Sequence, residues 1–236
     1  NPIKNVYCIP FGVFPENYLL DYTNMIDNKF LNEVGNFSKK KFTIGYAGSI
    51  GLSNGLDTII QVAKELYNIN FVFIGDGGNK DKYQEELSQF SNVIFTGRID
   101  REHVKYYLDH CDVLFLATLP SKVWLYGWSL NKMIDYMISG KPVIAEYDGY
   151  KSMINEANSG FFVKSRNVDE LRNKIVEVSK IPAIDLEKMG RNGKEWIIKN
   201  RNWSKIATDY LSIIDDIKNR NFKWIKTKLI IIGYAG

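Results

Sequence analysis

The sequence from residue 127 to residue 144 reads GWSLNKMIDYMISGKPVI, and it joins a helical pattern to a strand pattern. Ser129 is typical of a helix N-cap, and Gly140 is typical of the residue that follows a helix. The apolar run that begins at Pro142 is typical of a short buried strand. This stretch therefore predicts a helix over 129–139 and a strand over 142–145, which together form the repeating unit of an α/β fold.

The polar residues at the start of this helix admit two interpretations. Backbone N–H groups at a helix N-terminus attract a phosphate, and Lys132 adds a full positive charge there. At about 1.5 Å per residue, Asp135 lies roughly 9 Å along the axis from Ser129, close to the span from a nucleotide's diphosphate to its ribose. Alternatively, Lys132 and Asp135 form a solvated ion pair opposite the buried stripe of the helix, which comprises Leu130, Ile134, Met137 and Ile138.

Short apolar runs alternate with helical patterns between residues 41 and 162. This alternation predicts a Rossmann-like α/β domain whose parallel sheet has about six strands, flanked by helices on both faces. The predicted strands are Phe42–Ala47, Asn70–Ile74, Val93–Thr96, Val113–Ala117, Pro142–Ala145 and Gly160–Val163. The predicted helices are Gly55–Tyr67, Asp81–Phe90, Asp100–His110, Ser129–Ser139 and Ser152–Ala157.

Three further helical patterns follow the sheet, over 168–179, 185–200 and 204–219, and Pro182 separates the first two because it cannot continue a helix. We expect Trp196 and Trp203 to pack between these helices as core residues. The predicted organisation is a linker with the last strand of a preceding domain over 1–40, a Rossmann-like domain over 41–200, and a C-terminal helix and tail over 201–236.

The apolar run Val6–Ile9 has the pattern of a lone strand, and a lone strand needs a partner. No second sheet is evident in the sequence, so we expect a preceding domain to pair with this strand. The tail over 222–232 is basic and aromatic, then apolar. We expect it to dock on the same domain as a strand or a helix, with a peripheral membrane contact as the alternative.

Composition and charge exclude several functional classes. The formal net charge is only +4, and aromatic and basic residues do not alternate as they do in a nucleic-acid-binding groove. Cys8 and Cys111 are far apart, as is typical of reduced thiols in a cytosolic protein. His103 and His110 are expected on a solvated surface, so no metal site is predicted. No apolar stretch is long enough to span a bilayer.

The loops that follow the strands are candidates for a ligand site, because open α/β sheets bind ligands beyond the carboxyl ends of their strands. The first loop, Gly48–Gly55, is rich in glycine but is neither a dinucleotide fingerprint nor a Walker loop. Asp76 lies in the second loop, Arg98 in the third, and Tyr126 in an aromatic fourth loop. Each pattern alone is also typical of an ordinary turn, a surface ion pair or a packed lid. Their convergence at one edge of the sheet favours a ligand site.

The order of these motifs resembles the C-terminal half of family-4-type glycosyltransferases. The resemblance covers residues 6–214, and the Ser-x-Asn-Lys start of the helix is similar to that of bacterial amino-sugar transferases of surface polysaccharides. It implies one half of a GT-B fold, in which two Rossmann-like domains face each other across a cleft. The residues that carry it are the glycine-rich first loop, Gly75-Asp76-Gly77, Phe95-Thr96-Gly97-Arg98, Asp112-Val113-Leu114-Phe115 and Asn131-Lys132-x-x-Asp135-Tyr136-Met137-x-x-Gly140-Lys141-Pro142.

The resemblance also implies roles for individual residues. Asp135 takes the place of the acidic residue that holds the ribose hydroxyls, and Lys132 is the catalytic residue that holds the diphosphate with its neighbours. Arg98 and Ile99 lie where the family contacts the base. The full predicted substrate-binding set comprises Gly48, Ser49, Ile50, Gly51, Asp76, Arg98, Ile99, Tyr126, Ser129, Asn131 and Asp135.

The chain departs from the common family pattern at three places. Gly127 stands where a second acidic residue is usual, and Asp135 replaces the commoner glutamate. Ser49 and Asn54 stand where the first loop usually has Arg and Lys. We therefore expect Lys132 to take over the charge that holds the phosphates.

The activity implied by the resemblance is transfer of a sugar, with retention of configuration, from a UDP-linked donor to a glycan or lipid-linked acceptor in surface polysaccharide synthesis. No cofactor, metal ion or nucleic acid is expected, and the predicted location is the cytoplasm, including the inner face of the membrane. Two alternatives stay open. One is a non-catalytic nucleotide-sugar-binding subunit that needs a separate acceptor-binding chain, and the other is a nucleotide-sugar epimerase.

Overall fold

A computed structural model describes residues 6–7, 11–18, 34–37, 39, 41–126, 130–149, 153–219 and 230–231. Its main feature is a six-stranded, all-parallel sheet with the spatial order β4-β3-β2-β5-β6-β7. The strands are β2 (Thr43–Ala47), β3 (Asn70–Ile74), β4 (Val93–Gly97), β5 (Val113–Ala117), β6 (Val143–Glu146) and β7 (Gly160–Val163). The predicted fold class and strand number are thus confirmed, and each observed strand lies within one residue of its predicted bounds.

Helices cover both faces of this sheet. They are α1 (Asp57–Glu65), α2 (Lys80–Glu86), α3 (Arg101–Asp109), α4 (Asn131–Ser139), α5 (Met153–Glu156), α6 (Val168–Val178), α7 (Ala183–Asn200) and α8 (Trp203–Asn219). One buried cluster joins the sheet to α3, α4 and α5, and a second joins its other face to α1, α2 and α6. Because the central strands are buried on both faces, they appear in the sequence as continuous apolar runs.

The order in which the chain adds strands to the sheet changes side at β2. The chain runs outward from β2 through β3 to β4, and then returns to place β5 on the other side of β2. A crevice opens beyond the carboxyl ends of the strands at such a reversal, and ligands of doubly wound folds bind there. The topology thus directs attention to the loops that follow β2, β3 and β4 and to the helix α4.

Helix α4 is anchored at its C-terminal end. Gly140 ends the helix with φ of +80°, the left-handed conformation that glycine adopts without strain. Helix α7 packs against α4, and a Cβ atom built on Gly190 would lie only 1.8 Å from the carbonyl oxygen of Gly140. The contact between the two helices is therefore backbone against backbone.

The first strand of the chain has a partner that the sequence did not predict. Strand β1 (Val6–Tyr7) pairs in parallel with β8 (Ile230–Ile231), so its partner lies in this chain, in the tail that follows α8. The sequence hid this pair because more than two hundred residues separate its two strands. Trp224 and the lysines of the tail lie outside the described residues.

The predictions for the two histidines are wrong, and the prediction for Trp196 and Trp203 is wrong for Trp203. His103 and His110 are not on a solvated surface, since both are half-buried, and burial lowers the pKa of His110 below its ordinary value. Trp196 does join the core cluster of α4 and α5, whereas Trp203 packs on aromatic side chains of residues 11–14 outside both clusters. None of the helices in the described ranges has the length and apolarity that a membrane crossing requires.

Candidate functional site

The loops that follow β2, β3 and β4 are joined to one another by backbone hydrogen bonds. The N–H of Gly48 donates to the carbonyl of Ile74 over 2.9 Å, and the N–H of Gly75 donates to the carbonyl of Gly97 over 2.9 Å. The N–H of Ile50 donates to the carbonyl of Asp76 over 2.9 Å. The ladder of the sheet therefore continues into the loops, which form one rigid edge.

Glycine is required for this contact between the loops. Gly75 has φ of +134°, and a Cβ atom there would lie 2.1 Å from the carbonyl oxygen of Gly48. No side chain can occupy such a position without separating the two loops. The glycines of the first two loops thus serve loop packing as well as any ligand.

Two adjoining cavities open along this edge. The larger is a cleft of about 780 Å³, whose wall on the α4 side contains Asn131, Lys132 and Asp135. The smaller, of about 620 Å³, is lined by Asp76, Arg98 and neighbouring loop residues. The two share Gly48, Ile99 and Val104. The structure thus brings seven of the predicted site residues to one continuous cleft, namely Gly48, Asp76, Arg98, Ile99, Asn131, Lys132 and Asp135.

Lys132 reaches from α4 across to the strand β2 and the first loop. Its Nζ atom donates to the hydroxyl of Tyr46 over 2.7 Å and to Oδ1 of Asn54 over 3.1 Å, and it lies 4.2 Å from the centre of the Tyr46 ring. Burial lowers the pKa of Lys132 from 10.5 to about 7, because removal from water disfavours the charged form. No ion pair joins this ammonium to a carboxylate of the described residues.

The N-terminus of α4 differs from its predicted form. The helix begins at Asn131, and Leu130 occupies the N-cap position with an extended backbone and no capping side chain. The carbonyl of Leu130 accepts bonds from the N–H groups of Met133 and Ile134, which leaves the two preceding N–H groups at the cleft end of the helix. Ser129 lies outside the described residues. From Leu130, Asp135 is about 7.5 Å along the axis at 1.5 Å per residue.

Asp135 faces the cleft but does not pair with Lys132. Its Oδ1 atom lies 3.5 Å from Nη2 of Arg101 on α3, with side-chain exposures of 33% for Asp135 and 78% for Arg101. The alternative of a solvated Lys132–Asp135 ion pair is therefore wrong for Lys132, whose ammonium is held by Tyr46 and Asn54.

Three other predicted site residues of the first loop, Ser49, Ile50 and Gly51, lie away from the cleft. Ile50 is fully buried in the core, and its backbone N–H and carbonyl are bonded within the second loop. Ser49 is exposed, and its carbonyl accepts the hydroxyl proton of Tyr46 over 2.6 Å. Gly51 precedes a short 3-10 turn over Leu52–Asn54. These three residues line neither cavity.

The contacts of Asp76 are described by the structure, whereas those of the Tyr126 side chain are not. Asp76 accepts the N–H of Gly77 over 2.9 Å and lies 3.2 Å from the ammonium of Lys80. These two neighbours, the N–H of Gly77 first, lower the pKa of Asp76, which is therefore a carboxylate at neutral pH. Tyr126 ends a 3-10 turn over Lys122–Tyr126, and its side chain lies outside the described part of the structure.

Sequence reasoning missed the tyrosines that organise the site. The buried hydroxyl of Tyr136 accepts the N–H of Ala47 over 2.7 Å and donates to the carbonyl of Ala47 over 3.1 Å. Tyr136 thus fixes the backbone next to Gly48, and Tyr46 holds Lys132. A tyrosine inside an apolar pattern indicates a polar contact, because its buried hydroxyl needs a hydrogen-bond partner.

The rim of the cleft is aromatic. Phe11 and Trp203 meet edge to face with ring centres 5.4 Å apart, and Phe14 lies 6.2 Å from Trp203. All three line the cleft, and Phe14 is 52% exposed. Among the described residues, no three His, Cys, Asp or Glu side chains form a group that could hold a metal ion.

Comparisons with known proteins show which family and fold this chain resembles. A family model described as glycosyl transferases group 1 matches residues 27–196. An uncharacterized glycosyltransferase of Methanocaldococcus jannaschii is 22% identical over 190 residues, which are 77% of this chain and 47% of that protein. The 2-deoxystreptamine N-acetyl-D-glucosaminyltransferase of Niallia circulans is 31% identical over 134 residues, which are 54% of this chain and 33% of that protein. The chain thus spans about half or less of the length of these relatives.

A solved structure with the same fold is that of HepE from Anabaena, in complex with UDP and glucose. The two structures superpose with a TM-score of 0.64 at 17% sequence identity, over 87% of this chain and 55% of HepE. At this identity the likeness establishes the fold.

Proposed function

The chain belongs to the glycosyl transferases group 1 family, and we propose that it is the donor-binding half of a glycosyltransferase. The proposed reaction is transfer of a sugar from a UDP-linked donor, with retention of configuration, in the synthesis of surface polysaccharide. The acceptor is a glycan or a lipid-linked glycan, and a separate domain or chain supplies its binding site. We place the enzyme in the cytoplasm, at the inner face of the membrane when the acceptor is lipid-linked.

The observation that carries this proposal is the position of Lys132. A half-buried lysine with no ion-pair partner among the described residues, on the wall of a cleft and at the start of a helix, favours an anion in that cleft. The N–H groups of the first turn of α4 lie at the same end of the helix as Lys132. A diphosphate is the anion that a nucleotide-sugar donor presents.

The nucleoside end of the donor is assigned to the neighbouring residues. Asp135 lies one turn further along α4 and is proposed to accept hydrogen bonds from the ribose hydroxyls. Arg98 and Ile99, which line the adjoining cavity, are proposed to contact the base. Support for uracil as the base comes from HepE, which has the same fold and was solved with UDP.

The proposed chemistry depends on stabilisation of the leaving group. When the bond between the anomeric carbon and the diphosphate breaks, positive charge develops on the sugar and negative charge on the diphosphate. The ammonium of Lys132 and the N–H groups at the start of α4 are proposed to stabilise that negative charge as it forms. The donor phosphate is proposed to take the proton of the acceptor hydroxyl, as the family resemblance suggests.

A calorimetric titration with UDP tests this assignment. We expect UDP to bind the wild-type chain, and Lys132→Ala and Asp135→Ala each to weaken binding about tenfold or more, since each removes a charged or charge-assisted contact. Lys188→Ala is the matched control, because Lys188 is exposed on α7, away from the cleft. Absence of any heat with UDP, GDP or ADP refutes the proposal, and tighter binding of GDP refutes uridine alone.

The other candidate functions are separated by product analysis. One alternative is a donor-binding subunit that has no acceptor site of its own. It would bind UDP-sugar yet transfer only when mixed with an acceptor-binding chain. An epimerase would instead convert one UDP-sugar into another, which nuclear magnetic resonance of the sugar detects directly. Transfer with inverted configuration at the anomeric carbon would refute retention.

A further inference from the structure

We propose that Tyr46 and Asn54 are positioning residues that hold the amine of Lys132 with one valence open to the cleft, and that this amine takes up a proton as a diphosphate binds. This inference rests on the proposed function, since it concerns the residue assigned there to the diphosphate. It adds two residues and a proton-linked step to that assignment.

The geometry of the lysine nitrogen supports this arrangement. The nitrogen has four tetrahedral positions, of which one is bonded to its own carbon chain. Tyr46 and Asn54 accept two hydrogen bonds, over 2.7 Å and 3.1 Å. One position is left, and Lys132 lines the cleft. In the neutral amine that position is a lone pair, and in the ammonium it is a third N–H that can donate to a phosphate oxygen.

Tyr46 is oriented so that it can only accept from Lys132. Its hydroxyl proton is donated to the carbonyl of Ser49 over 2.6 Å, so its oxygen lone pairs remain for Lys132. Burial raises the pKa of Tyr46 well above its ordinary value, so the tyrosine stays neutral and does not supply a counter-charge. The alkyl chain of Lys132 is also confined, because a Cβ atom on Gly48 would lie 2.6 Å from its Cε atom.

No carboxylate of the described residues pairs with Lys132, so a bound anion would decide whether its amine is protonated. Asp135 is on the same helix but pairs with Arg101, and Glu102 and Lys105 of α3 line the same cleft. From β2 and the first loop, the groups that face the nitrogen are the neutral Tyr46 and Asn54.

The proton balance follows from these charges. Burial lowers the pKa of Lys132 to about 7, so at pH 8 the free protein holds mostly the neutral amine. The incoming diphosphate supplies the missing negative charge, and the proton comes from solvent. On release of the diphosphate the same proton returns to solvent.

The first test measures the titration of Lys132 without any ligand. The ¹³Cε resonances of labelled lysines are followed with pH, and the resonance of Lys132 is identified by its loss in Lys132→Met. We expect an apparent pKa of about 7 in the wild type. An apparent pKa near the ordinary 10.5 overturns the inference.

Two substitutions at position 54 distinguish positioning from general structural support. Asn54→Leu removes one acceptor from the ammonium, so the pKa of Lys132 is expected to fall. Asn54→Asp supplies a carboxylate at the same place, so the pKa is expected to rise. Tyr46→Phe removes the other acceptor and is expected to lower the pKa as Asn54→Leu does. Changes in the same direction for Asn54→Leu and Asn54→Asp overturn the positioning role.

The second test counts protons. UDP is titrated into the wild-type chain at pH 8 in two buffers of different ionisation enthalpy. Uptake of up to one proton per UDP is expected, because a group with a pKa of about 7 is mostly deprotonated at pH 8. In Asn54→Asp the uptake should be close to zero. Binding of UDP by the wild type without proton uptake overturns this inference alone, whereas failure of UDP to bind at all overturns the proposed function as well.

Discussion

Replacement of Lys132 by methionine should make the protein more stable while it removes the binding of diphosphates. The half-buried amine of Lys132 has a pKa of about 7 in place of 10.5. At about 1.4 kcal/mol per pKa unit, this difference corresponds to a cost of about 5 kcal/mol for keeping the charged form in the folded state. Methionine has a similar length and no charge, so it avoids this cost.

The expected net gain is smaller than that cost. At neutral pH the amine is already partly neutral, and methionine loses the hydrogen bonds to Tyr46 and Asn54. Replacement of buried charged groups by apolar ones typically gains about 1–4 kcal/mol. We therefore expect a gain of about 1–3 kcal/mol at pH 7, or roughly 2–10 °C in the melting temperature for a chain of this size.

The dependence on pH gives a second measure of the same effect. Because the folded-state pKa of Lys132 is lowered, the unfolded chain binds more protons between about pH 7 and pH 10.5, and the stability of the wild type should rise with pH across that window. This rise should be absent in Lys132→Met. Lys188→Met is the matched control, since exposed substitutions usually change stability by less than about 0.5 kcal/mol.

Denaturation in urea at pH 7 and at pH 9.5 measures the stability gain and the rise of stability with pH. Calorimetry measures the affinity for UDP. A variant that is less stable than the wild type at pH 7, or one that retains the rise of stability with pH, would refute the reasoning about Lys132. A variant that is more stable and still binds UDP with unchanged affinity would refute its assignment to the diphosphate.

Two further predictions concern the scaffold. Glu146 is only 2% exposed, and burial raises the pKa of its carboxyl, so its stabilising contribution is present at low pH and is lost as pH rises through the folded-state pKa. Glu146→Gln, which mimics the protonated acid and still accepts the N–H of Arg166, should be at least as stable as the wild type at pH 7.5, with a smaller difference at pH 5, as melting curves will show. Gly190→Ala should destabilise the fold by about 3 kcal/mol or more in urea denaturation, because its Cβ atom would lie 1.8 Å from the carbonyl oxygen of Gly140. Gly78→Ala, where nothing lies within 4 Å of the added carbon, is its control and should change stability little.

The sheet was the most predictable part of this protein. Strands β3 and β5 are buried on both faces, so Phe71–Ile74 of β3 and Val113–Ala117 of β5 each appear as an uninterrupted apolar run. The helices were placed by their apolar spacing, and their ends were placed less well. The predicted N-terminus of α4 is wrong because Ser129 has the chemistry of an N-cap, whereas Leu130, with its extended backbone, is the N-cap and the helix begins at Asn131.

The candidate site was predictable as a location but not as a network. The loop order placed Gly48, Arg98 and Lys132 at one edge, because parallel strands share the direction of their carboxyl ends. The partners of Lys132 were not predictable, since Tyr46 is 86 residues away in the sequence and lies in a strand that is buried throughout. The pairing of β1 with β8 was missed for the same reason of sequence distance.

The anchoring of α4 at both ends has a consequence for the choice of ligand. The backbone contact between Gly140 and Gly190 fixes one end, and the bonds of Lys132 to Tyr46 and Asn54 fix the other. The Cα atoms of Lys132 and Asp135 are then held about 4.5 Å apart along the helix axis. Under the proposed function, a molecule whose phosphate and sugar ring are spaced differently should therefore bind more weakly.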